Sequence, residues 1–427
     1  MVNARTVIAC ICLFFFLMMA LTNFNFFPYR GNWVAYTQTT SAGDSKRQII
    51  YTIMVIVALW FSLPTFSYTY RTTYHLKAIA LVTFWAILSV SWSAVPDIAA
   101  RRLVLYIMVL IVVISFTSNF HTTTFVKVLL CATGFILINN YLGIVFLREL
   151  SVFEDQGRGA TWRGLHSHKN TAGHTNATTT IIWFWASFMF KPRFFFLFVA
   201  AASAVFTYQS QSKSAWGALF VILIVSYMFA TFCRQPRAMA KIILTLFLSL
   251  SFLLIVLTFL STNDLVQTTT GDSTLTGRTE LWGLVLEYIY ESPIVGMGFE
   301  SFWLIGENAS ALTGIGGWVD HVFQAHNGYL DVVLTLGVVG LAALLLFLAA
   351  PILDSTKLKD SPFAIVAIFY SLWAYGVFVN VVESSLLKKD HYIWTLVMVG
   401  VFGLRQLVSE AHGDALSKAL TQRSSRV

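Results

Sequence analysis

Apolar runs recur from residue 8 almost to residue 408, and most are long enough to cross a hydrocarbon layer about 30 Å thick. Of the 427 residues, 57% are hydrophobic and only 11% charged, against about 25% charged in an ordinary soluble domain. Such a composition cannot cover a water-facing surface. In lipid each backbone polar group must be satisfied within its own segment, so the chain reads as an all-α polytopic membrane protein.

About twelve spans are expected, at 8–25, 48–69, 76–96, 102–120, 123–147, 173–190, 193–210, 214–232, 240–261, 329–351, 362–384 and 391–408. The first resembles the apolar core of a signal peptide, but it lacks a cleavage signature and is read as a retained helix. Residues 1–261 would then hold nine helices with a short loop at about 148–172, and residues 262–328 a large, partly helical loop. Residues 329–410 would hold three more helices, and 411–427 a tail. An even count puts both chain ends on one side. Arg71 and Lys77, Lys191 and Arg193, and Arg234, Arg237 and Lys241 fall there too, which makes that side cytoplasmic by the positive-inside rule. Arg101, Arg102, Lys388 and Lys389 fall on the other side. Both loops are therefore expected on the outer side of the membrane. The net charge of +8 is assigned to topology and anionic lipid, not nucleic acid, for which no module is visible. Cys10, Cys12, Cys131 and Cys233 lack metal or disulfide spacing and read as small hydrophobes.

The large loop carries eight acidic residues and a single basic one, Arg278 in "TGRTELW". A lone arginine there suits either a fork for phosphate oxygens or an ion pair with a neighbour such as Glu280. Trp282, Val285, Leu286 and Ile289 recur at helical spacing and should lay one face on the membrane or the bundle. The short loop gathers Arg158, Arg163, His166, His168, Lys169 and His174. No cysteine completes a soft ligand set, so no metal is expected. Ser167 or Asn170 is placed to cap the following helix, whose N–H groups would face an anion.

His326, just before the tenth span, is the candidate proton acceptor, since neutral imidazole takes a proton near neutral pH. The plainer alternative is a hydrogen-bonded interfacial histidine. Asn327 would orient it or cap the helix, and His321 ranks lower. Glu383 and Asp331 lie where a charge needs a partner or water, and Glu383 is placed to hold Arg278 or His326. Ser210, Ser212 and Ser214 around Lys213 read as a polar helix junction on the cytoplasmic side.

Six stretches, in order, carry a resemblance: "RGLHSHKNTAG" (163–173), "SQSKSAW" (210–216), "LTGRTELW" (275–282), "SPIVGMGFESF" (292–302), "AHNGYLDVVLTLGVVG" (325–340) and "NVVESSLL" (380–387). Together they resemble the O-antigen ligase and polysaccharide polymerase superfamily, especially its rhizobial-type exopolysaccharide polymerases. The resemblance implies an inverting, cofactor-free glycosyltransferase using an undecaprenyl-pyrophosphate-linked glycan donor and a lipid-linked glycan acceptor. It implies that Arg278 and Arg163 meet the donor pyrophosphate and that His326 activates the acceptor hydroxyl. Arg158, His168, Lys169, Asn170, Asn327 and Glu383 are the expected substrate contacts, and chain-length and export proteins the further partners. Family ligases often double the histidine before the asparagine, whereas position 325 here is alanine. Polymerisation of repeat units is the expected activity. Ligation to lipid A–core, glycan transfer to protein, a transporter or flippase, and a structural assembly subunit are the alternatives.

Overall fold

The computed structural model describes residues 3–22, 45–69, 73–155, 159–237, 239–243, 245–246, 274–305 and 308–424. The long helices are α1 Ala4–Thr22, α2 Ser45–Ser62, α3 Tyr74–Ser89, α4 Pro96–Asn119, α5 Thr122–Phe146, α6 Lys169–Ala186, α7 Arg193–Gln209, α8 Lys213–Phe232, α9 Thr274–Glu291, α10 Gly328–Leu348, α11 Phe363–Val379 and α12 Tyr392–Ser424. The chain is thus polytopic and mostly α-helical. It is not wholly so. Antiparallel hairpins pair β1 Val152–Asp155 with β2 Gly159–Trp162, and β3 Trp303–Ile305 with β4 Asn308–Ser310.

Among the described residues eight helices are long and apolar enough to cross a membrane, fewer than the expected twelve or so. The shortfall has physical causes. Helices α7 and α11 are apolar but have 17 residues each, about 25 Å of rise. Helix α6 carries buried His, Asn and four Thr side chains, a composition suited to the interior of a bundle. The expected span at 240–261 lies largely outside the described residues.

Helix α11 packs on both α8 and α12, and α6 packs on α7. Nearly every residue of α11 is buried, so it shows no polar face. The helices alternate in direction and gather the loops at two ends. At one end, termed the loop end, Thr175 donates to the Leu21 carbonyl, Arg47 pairs with Asp390, and the Phe299 amide donates to Ser89. At the other, Asn119 donates to Ser62, His75 faces Asp354, and Arg234 donates to the Ser361 carbonyl.

The cations that break the charge pattern have internal work at the loop end. Arg102 is buried and donates to the carbonyls of Glu300, Trp303 and Leu304. Lys388 lies 3.7 Å from Asp331 and 3.4 Å from the Gln324 amide oxygen, and the Lys389 amide donates to Glu300 at 2.8 Å. Groups that bind backbone and buried acid say little about which side faces the cytoplasm.

Helix α10 is broken at Gly337, whose backbone is left-handed at φ 66°. The segment 293–298 plugs the break. Amides of Met297 and Gly298 donate to the carbonyls of Leu334 and Thr335, each at 2.9 Å, and those of Val338 and Val339 donate to Pro293 and Ile294. The Trp85 indole donates to the Leu336 carbonyl at 2.8 Å. Gly296 and Gly337 make this possible. Both have positive φ, and a Cβ on either would collide with backbone of the other segment. Gly337→Ala should therefore lower stability by roughly 2–4 kcal/mol, from the left-handed penalty plus displaced backbone bonds. Thermal unfolding in detergent reads this directly, and an unchanged midpoint would refute the plug as a structural requirement.

Candidate functional site

Glu383 is the centre of the loop end. It sits in the turn after α11, a turn folded by Asn380. The Asn380 amide nitrogen donates to the Gly376 carbonyl at 2.6 Å and to Ser385 at 2.7 Å, while its oxygen accepts from the amides of Ser385 and Leu386. The Asn380 carbonyl also accepts from the Gly328 amide at 2.8 Å, and Ser384 accepts from the Asn327 amide at 3.0 Å. A Cβ on Gly328 would run into the Asn380 side chain. The stretches "NVVESS" and "HNG" thus form one joint, which explains asparagine, serine and glycine at those spacings.

Two imidazoles flank the carboxylate that this joint presents. Glu383 Oε1 lies 3.7 Å from His174 Nε2, and Oε2 lies 3.7 Å from His326 Nδ1. Burial opposes ionisation of Glu383, but the facing imidazoles outweigh it and hold the carboxyl well below the usual carboxylate range. His174 is itself fixed, with Nδ1 2.7 Å from the Tyr375 hydroxyl and Nε2 3.2 Å from the Ser214 hydroxyl.

His326 adopts φ 51°, a left-handed conformation unfavourable for a residue with a Cβ. Asn327 secures it by capping α10, accepting from the amides of Tyr329 and Leu330 at 3.1 Å each. Among the described residues six non-glycine residues have positive φ, and five of them, Gln211, Glu300, Leu304, His326 and Leu387, lie at the loop end. Such strain persists only where surrounding contacts enforce it, and it favours functional sites. His326 Nδ1 also lies 3.1 Å from the Gln324 amide nitrogen. Its two neighbours make opposite demands: the carboxylate favours a proton on Nδ1, and the amide donor favours a lone pair. Lys388 beside the Gln324 oxygen holds the amide in its donating orientation.

Asp331 takes a supporting place. One oxygen accepts from the Trp303 indole at 2.8 Å and from the Ala325 amide at 3.2 Å, fixing the residue before His326. The Ala325 carbonyl accepts from the Trp282 indole on α9 at 2.8 Å. Arg278 is four residues before Trp282, on the same helical face, and is partly buried. No hydrogen bond or ion pair is formed between Arg278 and Glu280 among the described residues. The buried face of α9 is Leu281, Val285 and Ile289, packed on Phe302, Trp303, Leu312 and Val319; Leu286, expected in that face, is 39% exposed.

The short loop contributes unevenly. Arg163 donates through Nε to the Leu150 carbonyl at 2.8 Å, and its amide donates to the Ser151 carbonyl at 2.8 Å. One edge of its guanidinium is therefore a tether. Arg158 lies outside the described residues. The α6 cap is His168, not Ser167 or Asn170: its Nδ1 accepts from the Asn170 amide at 3.1 Å, so that amide is not offered to an anion. Desolvation lowers the His168 imidazole from its ordinary value, and the charges of Glu383, Lys169, His326 and Arg163 also reach it. His168 is nonetheless solvent-exposed. Crowded but accessible is the state of a side chain on a cleft wall. His166 faces away, buried against Asn140 at 3.5 Å, so the loop's three histidines have separate partners.

The serine-rich junction lies at the loop end, opposite to the end expected for it. Ser214 touches His174, and a Cβ on Gly173 would collide with Ser210 and Ser212. Alternating the expected spans from the 148–172 loop already puts residues 210–213 beside that loop, so the signal is present in the sequence. Lys213, exposed at the start of α8, is therefore a further cation at the loop end. Tyr375 and Asn380 escape sequence reasoning, because each lies in or beside an apolar span whose pattern reports burial and not hydrogen bonding.

Residues 196–345 match the family model described as O-Antigen ligase. The chain is also 22% identical, over 71% of its own length and 71% of the relative's, to the Exopolysaccharide production protein ExoQ of Rhizobium meliloti (strain 1021). It is similar to the O-antigen ligase family over the matched segment and weakly similar to the exopolysaccharide protein. The chain is thus a multi-pass, mostly helical membrane protein with a likeness to these proteins over those segments. The matched segment includes Lys213, Arg278 and His326 but ends before Glu383.

Burial of His166 lowers its pKa to about 4. A histidine depressed in the folded state keeps its full contribution above the unfolded value near 6.5 and loses it as pH falls towards 4, because only the unfolded chain takes the proton. Stability should fall by about 3 kcal/mol across that window. Unfolding midpoints at stepped pH should show a shallower fall in His166→Gln than in the parent, and parallel slopes would contradict the assignment.

Proposed function

We propose that this protein joins undecaprenyl-pyrophosphate-linked oligosaccharide repeat units into an extracellular polysaccharide, by inverting glycosyl transfer at the periplasmic face of a bacterial inner membrane. The observation that carries the reading is His326, held in a left-handed turn with Nδ1 3.7 Å from the buried Glu383 carboxylate, at the same end as Arg278. A base braced by a buried carboxylate and a cation on an overlying helix suit removal of a hydroxyl proton beside a departing pyrophosphate.

In the proposed reaction the acceptor hydroxyl attacks the anomeric carbon as the bond from that carbon to the pyrophosphate oxygen breaks. His326 takes the hydroxyl proton through Nε2, and Glu383 stabilises the resulting imidazolium. This requires the Nδ1–H tautomer, so the Gln324 amide must turn or withdraw. Arg278 and Arg163 neutralise the leaving lipid pyrophosphate. Lys213 adds charge at the same end. His168, Lys169, Asn170 and Asn327 line the approach, and Arg158 is assigned there from the sequence. The negative charge leaves on pyrophosphate, so arginines suffice and no cofactor is invoked. Two tethered reactants aligned in one groove gain much of their rate from orientation. Chain-length and export proteins would act on the product.

The family match favours one second reading, ligation of a finished glycan to lipid A–core. Purified protein supplied with defined lipid-linked repeats separates the two. Lengthened glycans support polymerisation, transfer only to an added lipid A–core supports ligation, and neither product beside an active control polymerase removes both. His326→Ala should lower the rate about 10²–10⁴-fold, the range of general-base catalysis. Arg278→Ala should lower it about 10²-fold or more, and Glu383→Gln by less than His326→Ala, with folded yield unchanged. Near-parental turnover in His326→Ala would reduce that histidine to interfacial structure.

A further inference from the structure

At the end of the bundle opposite Glu383 lies a cavity of about 380 Å³, within the size range of small-ligand sites. It is built from the start of α3, the segment after α10, and α12. Its walls carry three basic side chains, His75, Lys357 and Arg405, against one acid, Asp354. His75, Asp354 and Arg405 are each at least 94% buried, while Lys357 is about half exposed. Ionisable groups in the interior of a membrane helix bundle are costly and mark functional sites unless structure fully accounts for them.

Structure accounts for the acid. Asp354 accepts from Lys357 Nζ at 2.9 Å and faces His75 Nε2 at 2.6 Å, so its charge is offset from two sides. The His75 imidazole is less fully accounted for. His75 Nδ1 is buried and makes no hydrogen bond to a described residue, although the ring lines the cavity. Arg405 donates to Ser118 at 3.1 Å, and it too remains on the cavity wall. Thr73 and Ser409 add hydroxyls, and Tyr74 and Leu353, 40% and 41% exposed, stand at the outer surface of the apolar helices.

We propose that this cavity binds a phosphate-bearing headgroup, with Lys357, Arg405 and His75 meeting the phosphate oxygens and the exposed rim at Tyr74 and Leu353 admitting an acyl chain. Basic pockets between membrane helices take anionic lipid headgroups by the same combination of charge and partial desolvation. A small soluble phosphate ester would satisfy the same donors. The rim favours a lipid, because Leu353 and Tyr74 offer apolar surface where a chain would emerge. The site is separate from the proposed glycosyl transfer, and only its assignment to the cytoplasmic leaflet rests on that reading.

The test uses the full chain and needs no glycan substrate. Unfolding midpoints are measured in nanodiscs of phosphatidylcholine alone, in nanodiscs of phosphatidylcholine with phosphatidylglycerol, and in phosphatidylcholine with added glycerol phosphate. The parent should gain several degrees with phosphatidylglycerol, and Lys357→Gln, which also removes a partner of Asp354 and should start from a lower midpoint in phosphatidylcholine, should lose at least half of that gain measured from its own baseline. Arg405→Gln should lose more, but it is buried and could fail to fold, so the exposed Lys357 is the deciding position. An equal gain from glycerol phosphate, lost in the same variant, would assign the site to a soluble phosphate ester. No gain from either, or the same gain in the parent and Lys357→Gln, would overturn the site.

Discussion

A broken helix inside lipid would leave carbonyl and amide groups without water, and much of the loop end follows from how this chain avoids that cost. Gly337 interrupts α10, and the segment from Pro293 to Gly298 supplies partners to both sides of the break. The plug therefore belongs to the bundle, although it sits inside the longest polar stretch of the sequence. With it in place the chain on either side is constrained. Helix α9 must end close to the bundle surface, and Phe299 to Leu304 must run back over α4, where Arg102 gathers their carbonyls. The first half of α10 is thereby fixed under its own cap, and His326 is the residue before that cap.

Placement of His326 then depends on a second buried interaction. The carboxylate of Glu383 has imidazoles on both sides, one from α6 and one from the α10 entrance. Removing water from a carboxylate is expensive unless charge or donors replace it. His174 and His326 meet that need, and they join pieces of chain 152 residues apart in sequence numbering, from 174 to 326. At 3.7 Å neither contact is a short hydrogen bond. Asn380 has the opposite character. Its four hydrogen bonds, 2.6–3.1 Å long, fix the turn that presents the acid.

The sequence made the membrane class, the order of most helices and the pairing of Glu383 with His326 legible, because composition and helix-edge placement report solvent and charge directly. It was less informative about polar helices inside the bundle. Helix α6 reads as a span by position, yet its threonines, Asn176 and His174 make it too polar to qualify on hydropathy. The two hairpins were invisible because strands of three or four residues carry too little alternation to register. Arg102, Lys388 and Lys389 confused the charge count for a related reason. Topology rules treat cations as exposed, whereas Arg102 is buried among carbonyls.

Arg278 and His326 sit on different bodies. The histidine belongs to the bundle, and the arginine belongs to α9, which touches the histidine's strand through the Trp282 indole on the Ala325 carbonyl. A second tie runs through Asp331, which holds both the Ala325 amide and the Trp303 indole of the returning chain. Both ties converge on position 325. A small residue is accommodated there because the site is fully enclosed and its backbone is engaged from both sides. A second imidazole at 325 would have to displace Leu281, Leu334 or their neighbours, which pack around the same cluster. The alanine thus belongs to an arrangement in which backbone bonds on both sides of position 325 tie α9, with Arg278, to the turn that carries His326.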